Sequence, residues 1–145
     1  MRLQKNTSLA LYSVLEFART PERHIAAAEI AEKYDISAHH LAKVLAELAR
    51  CGILASVRGA GGGYRFTGNA RRLTLMDIIQ RFEDLGNGAA ASAAAPSGPV
   101  EAALGLVLSE IDQNAKATFK SITLATMLRL VERQRGGTDS PQGPR

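Results

Sequence analysis

A single cysteine, Cys51, stands in the 145 residues. An internal disulfide is thereby excluded, and a reducing compartment fits this usage. No run of about 18 uncharged apolar residues occurs, so no membrane-spanning helix is expected. The opening Met1-Arg2-Leu3-Gln4-Lys5 leads into an amphipathic segment carrying Glu16, without the apolar core or cleavage site of a secretory leader. A cytoplasmic location is the expectation. No carboxylate pair and no Ser/His/Asp set emerges, so an enzyme is not expected. Metal ligation is not expected either. His39 and His40 are adjacent, and neighbours on a helix point about 100° apart, so they do not readily share one ion. His24 falls in a loop. No repeat with a period of about 20–50 residues is visible.

What is present is an ordinary globular balance, 46% hydrophobic and 22% charged, at a length suited to one compact domain with an appended arm. The net charge of +4 is unevenly spread. Residues 33–72 carry Lys33, Lys43, Arg50, Arg58, Arg65, Arg71 and Arg72 against Asp35 and Glu47, a net +5. The chain before them sums to 0 and the chain after them to −1. Such a centre of charge fits a polyanion partner, or only a well-solvated surface; charge alone does not decide.

Apolar spacing supplies the elements. Asn6 or Thr7 can cap a first helix through about residue 19, with Leu11, Val14, Leu15 and Ala18 as its buried face. A short helix over 26–34 turns inward Ile30 and Ala31. Asp35-Ile36-Ser37 is a tight connection, and Ser37 caps a helix over 38–51 that buries Leu41, Val44, Leu45 and Leu48. Gly52 ends it. The period then changes to that of strands over 53–58 and 64–67, joined by the glycine turn 59–63. Thr74 or Leu73 opens a further helix to about 84, with Leu75, Ile78, Ile79 and Phe82 apolar. Residues 86–99, rich in Ala, Gly and Pro, read as a loop. A long helix follows over about 99–120, striped with Val100, Ala103, Leu104, Val107, Leu108, Ile111, Ala115 and Phe119. A shorter one over about 123–134 carries Leu124, Met127, Leu128 and Val131. The tail 135–145 is expected to be disordered.

A short helix, a tight turn and a longer capped helix make a helix-turn-helix, whose second helix enters the DNA major groove N-terminus first. Ser37, His39, His40 and Lys43 are the candidate contacts there, with Ser37 and the free amides at the helix start suited to a phosphate. Two paired helices in a generic core would read the same. The hairpin shifts the weight toward DNA. Arg58 before a glycine run makes a wing that approaches a backbone closely, with Gly61 and Gly62 exposing amides and Tyr64 and Arg65 on the returning strand. The glycines do not read as a nucleotide cradle, since they join two strands and no lysine follows.

The start Met1-Arg2-Leu3, the helix Ile36-Ser37-Ala38-His39-His40-Leu41-Ala42-Lys43-Val44-Leu45 and the wing Val57-Arg58-Gly59-Ala60-Gly61-Gly62-Gly63-Tyr64 resemble the IscR/NsrR-type (Rrf-two) family of bacterial regulators. The resemblance spans residues 1–85 and, in layout, the long helix to about 134. Around Ser37, His39, His40 and Lys43 it is closer to the nitric-oxide-sensing NsrR branch than to the IscR branch. It implies base or phosphate contacts from those four residues, minor-groove insertion of Arg58, and a homodimer on a partly palindromic operator. An IscR-like glutamate is replaced by Ala42. Members of the family often hold an iron–sulfur cluster through three cysteines before the long helix. Here Ala91, Ser97 and Ala103 stand near those positions, and Ser8 near a fourth, so no conventional cluster and no other cofactor is expected. Cys51, at a helix C-terminus, is read as a packing residue, with an intersubunit thiol pair as the alternative.

The expectation is therefore a mainly α fold with a small β-hairpin wing. Residues 1–85 form the winged helix-turn-helix domain, 86–99 a loop and 99–134 a dimerisation helix with a short terminal helix. Leu104, Val107, Leu108, Ile111, Ala115 and Phe119 are the expected dimer contacts, because about 20 residues at 1.5 Å rise make a helix longer than the domain needs for its own packing. Double-stranded operator DNA and a second copy are the expected partners, and a repressor the expected role. A winged-helix protein-interaction module without DNA binding is the alternative.

Overall fold

A computed structural model of the chain describes residues 3–59, 63–83, 95 and 97–138. Lys5–Arg19 forms helix α1, which buries Thr7, Leu9, Ala10, Ser13, Val14, Phe17 and Ala18. That is more than one stripe, because α1 has neighbours on several sides. The expected face is accordingly rotated: Val14 and Ala18 are buried, Leu11 and Leu15 lie half-buried at its margin, and Phe17 fills the centre. Spacings of three and four fit both sets of residues, so periodicity alone does not choose between them.

The expected cap of α1 is also corrected. Asn6 and Thr7 lie inside the helix, and Gln4 at the cap position makes no side-chain capping bond. The carboxylate of Glu83, 79 residues away, does this work. It accepts from the Gln4 amide at 3.2 Å and from Thr7 Oγ1 at 2.5 Å. A negative charge at the positive end of a helix satisfies orphan amides that local sequence left open.

Ala27–Lys33 (α2) and Ala38–Arg50 (α3) are joined by a turn with Asp35 at φ 52°. Asp35 N donates to Glu32 O at 3.3 Å and Ile36 N to Ala31 O at 2.8 Å, so α2 ends in a Schellman motif with aspartate in the left-handed position. The same device ends α3: Gly52, at φ 78°, donates to Ala49 O and Ile53 to Leu48 O, both at 3.1 Å. Leu41, Val44, Leu45 and Leu48 of α3 are buried, as their spacing predicts.

Leu54–Val57 (β1) and Gly63–Phe66 (β2) form an antiparallel hairpin in which Leu54 faces Phe66, Ala55 faces Arg65, Ser56 faces Tyr64 and Val57 faces Gly63. Its outer edge is paired with a single residue before α2. Ile25 and Tyr64 exchange two backbone bonds of 2.9 Å. The Tyr64 ring stands edge-on to Phe17 of α1, centroids 6.3 Å apart. Gly63 permits this approach: a Cβ there would lie 2.7 Å from the Ile25 carbonyl carbon and 2.9 Å from Ala26 Cα.

Leu75–Phe82 (α4) opens with a capping box, Asp77 N to Thr74 Oγ1 at 3.3 Å and Thr74 N to Asp77 Oδ2 at 2.9 Å. Pro99–Ser121 (α5) has proline at its start and no buried residue. Leu124–Thr138 (α6) returns to the core through the buried Leu124 and half-buried Met127 and Leu128. Helix therefore continues through residues 135–138, which were expected to be disordered. Residues 139–145 and most of the 86–99 loop, residues 86–94 and 96, lie outside the described residues. The α5–α6 junction is stitched to the segment after β2 by Leu75 N to Ile122 O at 2.9 Å, and by Leu124 N to Leu73 O and Ala125 N to Ala70 O, both at 2.8 Å.

One polar cluster ties α1 to α2. Glu16 accepts from Lys33 Nζ and from the Tyr34 hydroxyl, both at 2.6 Å, and Arg19 lies 3.6 Å away. Burial alone would raise the Glu16 carboxyl, but the Lys33 and Tyr34 hydrogen bonds and the two cations outweigh it and hold its pKa below the ordinary 4.5. A lowered carboxylate pKa stabilises the fold above its unfolded value, and that contribution is lost as pH falls through the folded value. Glu16→Gln is expected to lose about 1 kcal/mol at neutral pH and to show a flatter decline of stability below pH 4.5, read by urea denaturation across pH. An unchanged acid limb would remove Glu16 from the account. Gly63→Ala forces the hairpin off Ile25 and is expected to destabilise by about 1–3 kcal/mol in the same assay. A neutral result would show that the hairpin does not dock there.

Candidate nucleic-acid interface

The site is built on the start of α3. Ser37, in an extended conformation, accepts from the His40 amide at 3.4 Å and so caps the helix. One orphan amide is used by the cap; the others of the first turn keep the partial positive charge of a helix N-terminus. Ser37, Ala38, His39, Ala42 and Lys43 are exposed around it. The buried stripe on the opposite face presses α3 onto α1 and α2, which fixes this end rigidly.

His40, a candidate contact in the sequence, is set back from the surface that the others share. It is half-buried and lines a small cavity of about 100 Å³ with Asn6, Lys43, Val44 and Phe82. Its Nε2 is shielded from solvent and has no hydrogen-bond partner among the described residues. Position 40 lies between the outward Lys43 direction and the inward Val44 direction of the helix, and the start of α1 and the end of α4 close over it. Asn6 and Phe82 are thus neighbours of the site that periodicity did not reveal, since they reach it from 34 residues before and 42 residues after His40.

The hairpin follows directly from α3, and β1 packs against that helix. Arg58 and Arg65 are exposed on it, Arg58 after the end of β1 and Arg65 opposite Ala55. Gly59, at φ 116°, starts the turn in a conformation that favours glycine. Gly61 and Gly62 lie outside the described residues. Tyr64, read in the sequence as a contact residue, is half-buried against Phe17 and ties β2 to α1. Among the described residues, Lys43, Arg58 and Arg65 form no ion pair, whereas Arg50 is paired with Glu47 at 3.0 Å. The arrangement presents a helix N-terminus and three uncompensated cations to solvent, with no carboxylate drawn among them.

The expected dimer contacts lie on α5. Leu104, Val107, Leu108 and Ile111 are 57, 54, 56 and 58% exposed, and Leu106 and Val100 still more so. Ala115 and Phe119 are half-buried, Phe119 against the core. Cys51 is half-buried and free, packed at the edge of the core. Of the positions named for cluster ligands, Ser97 and Ala103 are exposed, Ser8 is half-buried and Ala91 lies outside the described residues.

Comparison with known proteins agrees with this geometry. A family model described as Rrf2, iron-dependent transcriptional regulator, matches residues 3–130. An HTH-type transcriptional regulator of Rhodopseudomonas palustris, BadM, is 47% identical over 99% of this chain and 90% of its own length. In fold, the chain is similar to IscR of T. potens, with TM-score 0.75 at 24% identity over 99% of this chain and 94% of that one. It is also similar to oxidised CymR of Staphylococcus aureus, with TM-score 0.74 at 22% identity over 88% and 96% of the two chains. The family match runs through the capped helix, the hairpin, all of α5 and the first half of α6, and the chain belongs to the Rrf2 family of winged helix-turn-helix transcription regulators, which are not enzymes.

Proposed function

We propose that the chain binds duplex operator DNA as a homodimer and represses transcription by occupying the promoter, in the cytoplasm. The observation that carries this reading is the exposed, Ser37-capped start of α3, with Lys43 on the same helix and Arg58 and Arg65 exposed on the hairpin, none of the three ion-paired among the described residues. The helix start fits the major groove, where each base pair displays its own donor and acceptor pattern. His39 and Lys43 reach base edges or phosphates, and Arg58 on the hairpin enters the adjacent minor groove. His40 supports the helix from behind, and its amide belongs to the Ser37 cap.

Homodimerisation rests on α5. Its 23 residues extend about 34 Å, and the apolar stripe from Leu104 to Ile111 is left uncovered by the chain's own core. A two-fold pairing through that stripe covers it and presents two recognition helices about one turn of DNA apart.

The family description speaks of iron, but the donor set here does not fit a conventional cluster. Three thiolate ligands are needed before α5, and the whole chain has one cysteine, at the end of α3. Ser97 uses its amide on Glu101 at 2.7 Å, and Ala103 offers only a methyl group. We propose that this chain senses its signal without such a cluster.

Binding to a duplex is expected to weaken steeply with salt, each phosphate neutralised adding about 0.9 to the slope of log affinity against log salt. Arg58→Ala is expected to reduce that slope by about one while leaving the circular dichroism spectrum intact. A flat salt dependence of the parent protein would instead favour the protein-interaction reading. For assembly, Leu108→Asp with Ile111→Asp is expected to sediment as a folded monomer and to bind duplex at least ten-fold more weakly. A variant that remains dimeric would place the interface elsewhere.

A further inference from the structure

At the seam between the hairpin root and the C-terminal helices, Arg71 and Arg129 line one open depression of about 450 Å³ together with Thr123 and Ala125. Both arginines are exposed, and neither forms an ion pair among the described residues. No carboxylate lines the depression. Arg129 Nη2 donates to Thr126 Oγ1 at 3.3 Å, which draws the guanidinium back over the first turn of α6. That turn carries no acidic residue, and its amides are already used, Leu124 N on Leu73 O and Ala125 N on Ala70 O at 2.8 Å and Thr126 N on Thr123 Oγ1 at 3.2 Å, so the arginines are what the depression offers an anion. Thr126 Oγ1 lies 3.1 Å from Thr123 Oγ1, so two hydroxyls stand beside the cation. Two guanidinium side chains therefore line one concavity, with no carboxylate among the described residues that line it.

We propose that this depression binds the phosphoryl or carboxylate group of a small molecule. Guanidinium forks match such oxyanions bidentately, and the volume suits a small ligand. Duplex phosphate is disfavoured by position: β2 runs from the turn at Gly63 to the root at Phe66, and residues 67–74 continue beyond the root, at the opposite end of the hairpin from Arg58. The placement also gives the ligand a consequence. Arg71 belongs to the segment after the hairpin and Arg129 to α6, and the two segments meet through the Thr74–Thr123 bridge and the Ala125 N to Ala70 O bond of 2.8 Å. An oxyanion held by both arginines clamps the winged domain to the helices that follow. This site requires no DNA, so its failure and that of the regulator reading are separable.

The test is amide chemical-shift titration of the isotope-labelled full chain at fixed ionic strength with inorganic pyrophosphate and, separately, succinate. At least one probe is expected to give saturable shifts centred on Arg71, Thr123, Ala125 and Arg129, and Arg71→Gln with Arg129→Gln to weaken binding at least ten-fold. Should that pair not fold, Arg71→Lys, which keeps the charge and loses the fork, is expected to weaken it several-fold. The absence of saturation with both probes, shifts confined to α3 and the hairpin, or undiminished binding by the folded variants would overturn the proposal. The salt slope for duplex is expected to be unchanged in the variants. A fall of one unit or more would assign the arginines to DNA phosphates and likewise overturn it.

Discussion

Two backbone hydrogen bonds between Ile25 and Tyr64 decide where the hairpin stands. Strands of four residues joined by a glycine turn are not stable in water by themselves. This pair becomes fixed because a third short segment closes its outer edge and because Gly63 has no side chain to keep that segment away. The Tyr64 ring then meets Phe17, and the hairpin inherits the rigidity of α1. Since α3 packs against the same helix, the Ser37-capped helix start and Arg58 are referred to one frame. The proposed joint use of the two on a duplex needs that frame, for neither a lone helix end nor a loose hairpin would hold a spacing.

Much of this was legible in the sequence, and the reason lies in local chemistry. Ser37 caps the helix it precedes, Gly52 ends it in a left-handed turn, and the four apolar residues of α3 are all buried, because each signal acts within one turn of helix. What escaped was chemistry acting at a distance. Glu83 caps α1 across the fold, so the local candidates Asn6 and Thr7 were misread. Phe17 rather than Leu11 or Leu15 centres the buried side of α1, a choice made by its surrounding neighbours. His40 lines a hollow shared with Asn6 and Phe82, and no pattern within α3 reports those neighbours. The helical stretch at 135–138 was also missed, since two glycines there argued for an end.

The C-terminal helices show how a regulator can join a DNA-reading unit to something that controls it. The short stitch between residues 70–75 and 122–125 is made of main-chain bonds, so it is specific in register and insensitive to side-chain identity. Beyond it, α5 carries an apolar stripe exposed among the described residues, and α6 returns to α1 through Leu124 and the Arg19–Glu132 pair at 3.9 Å. A change at the junction would be felt at both the hairpin root and α5. A family often associated with iron thus has, in this chain, a layout that carries the coupling elements without the cysteines a conventional cluster needs.

The central claim is that one surface, formed by the capped end of α3 and the hairpin, meets the duplex. Hydrogen exchange of the backbone amides, compared between free and duplex-bound protein, tests it most directly. The account predicts that added protection is concentrated in residues 37–43 and 57–65. Protection confined to α5 and α6, with those two segments unaffected, would contradict it.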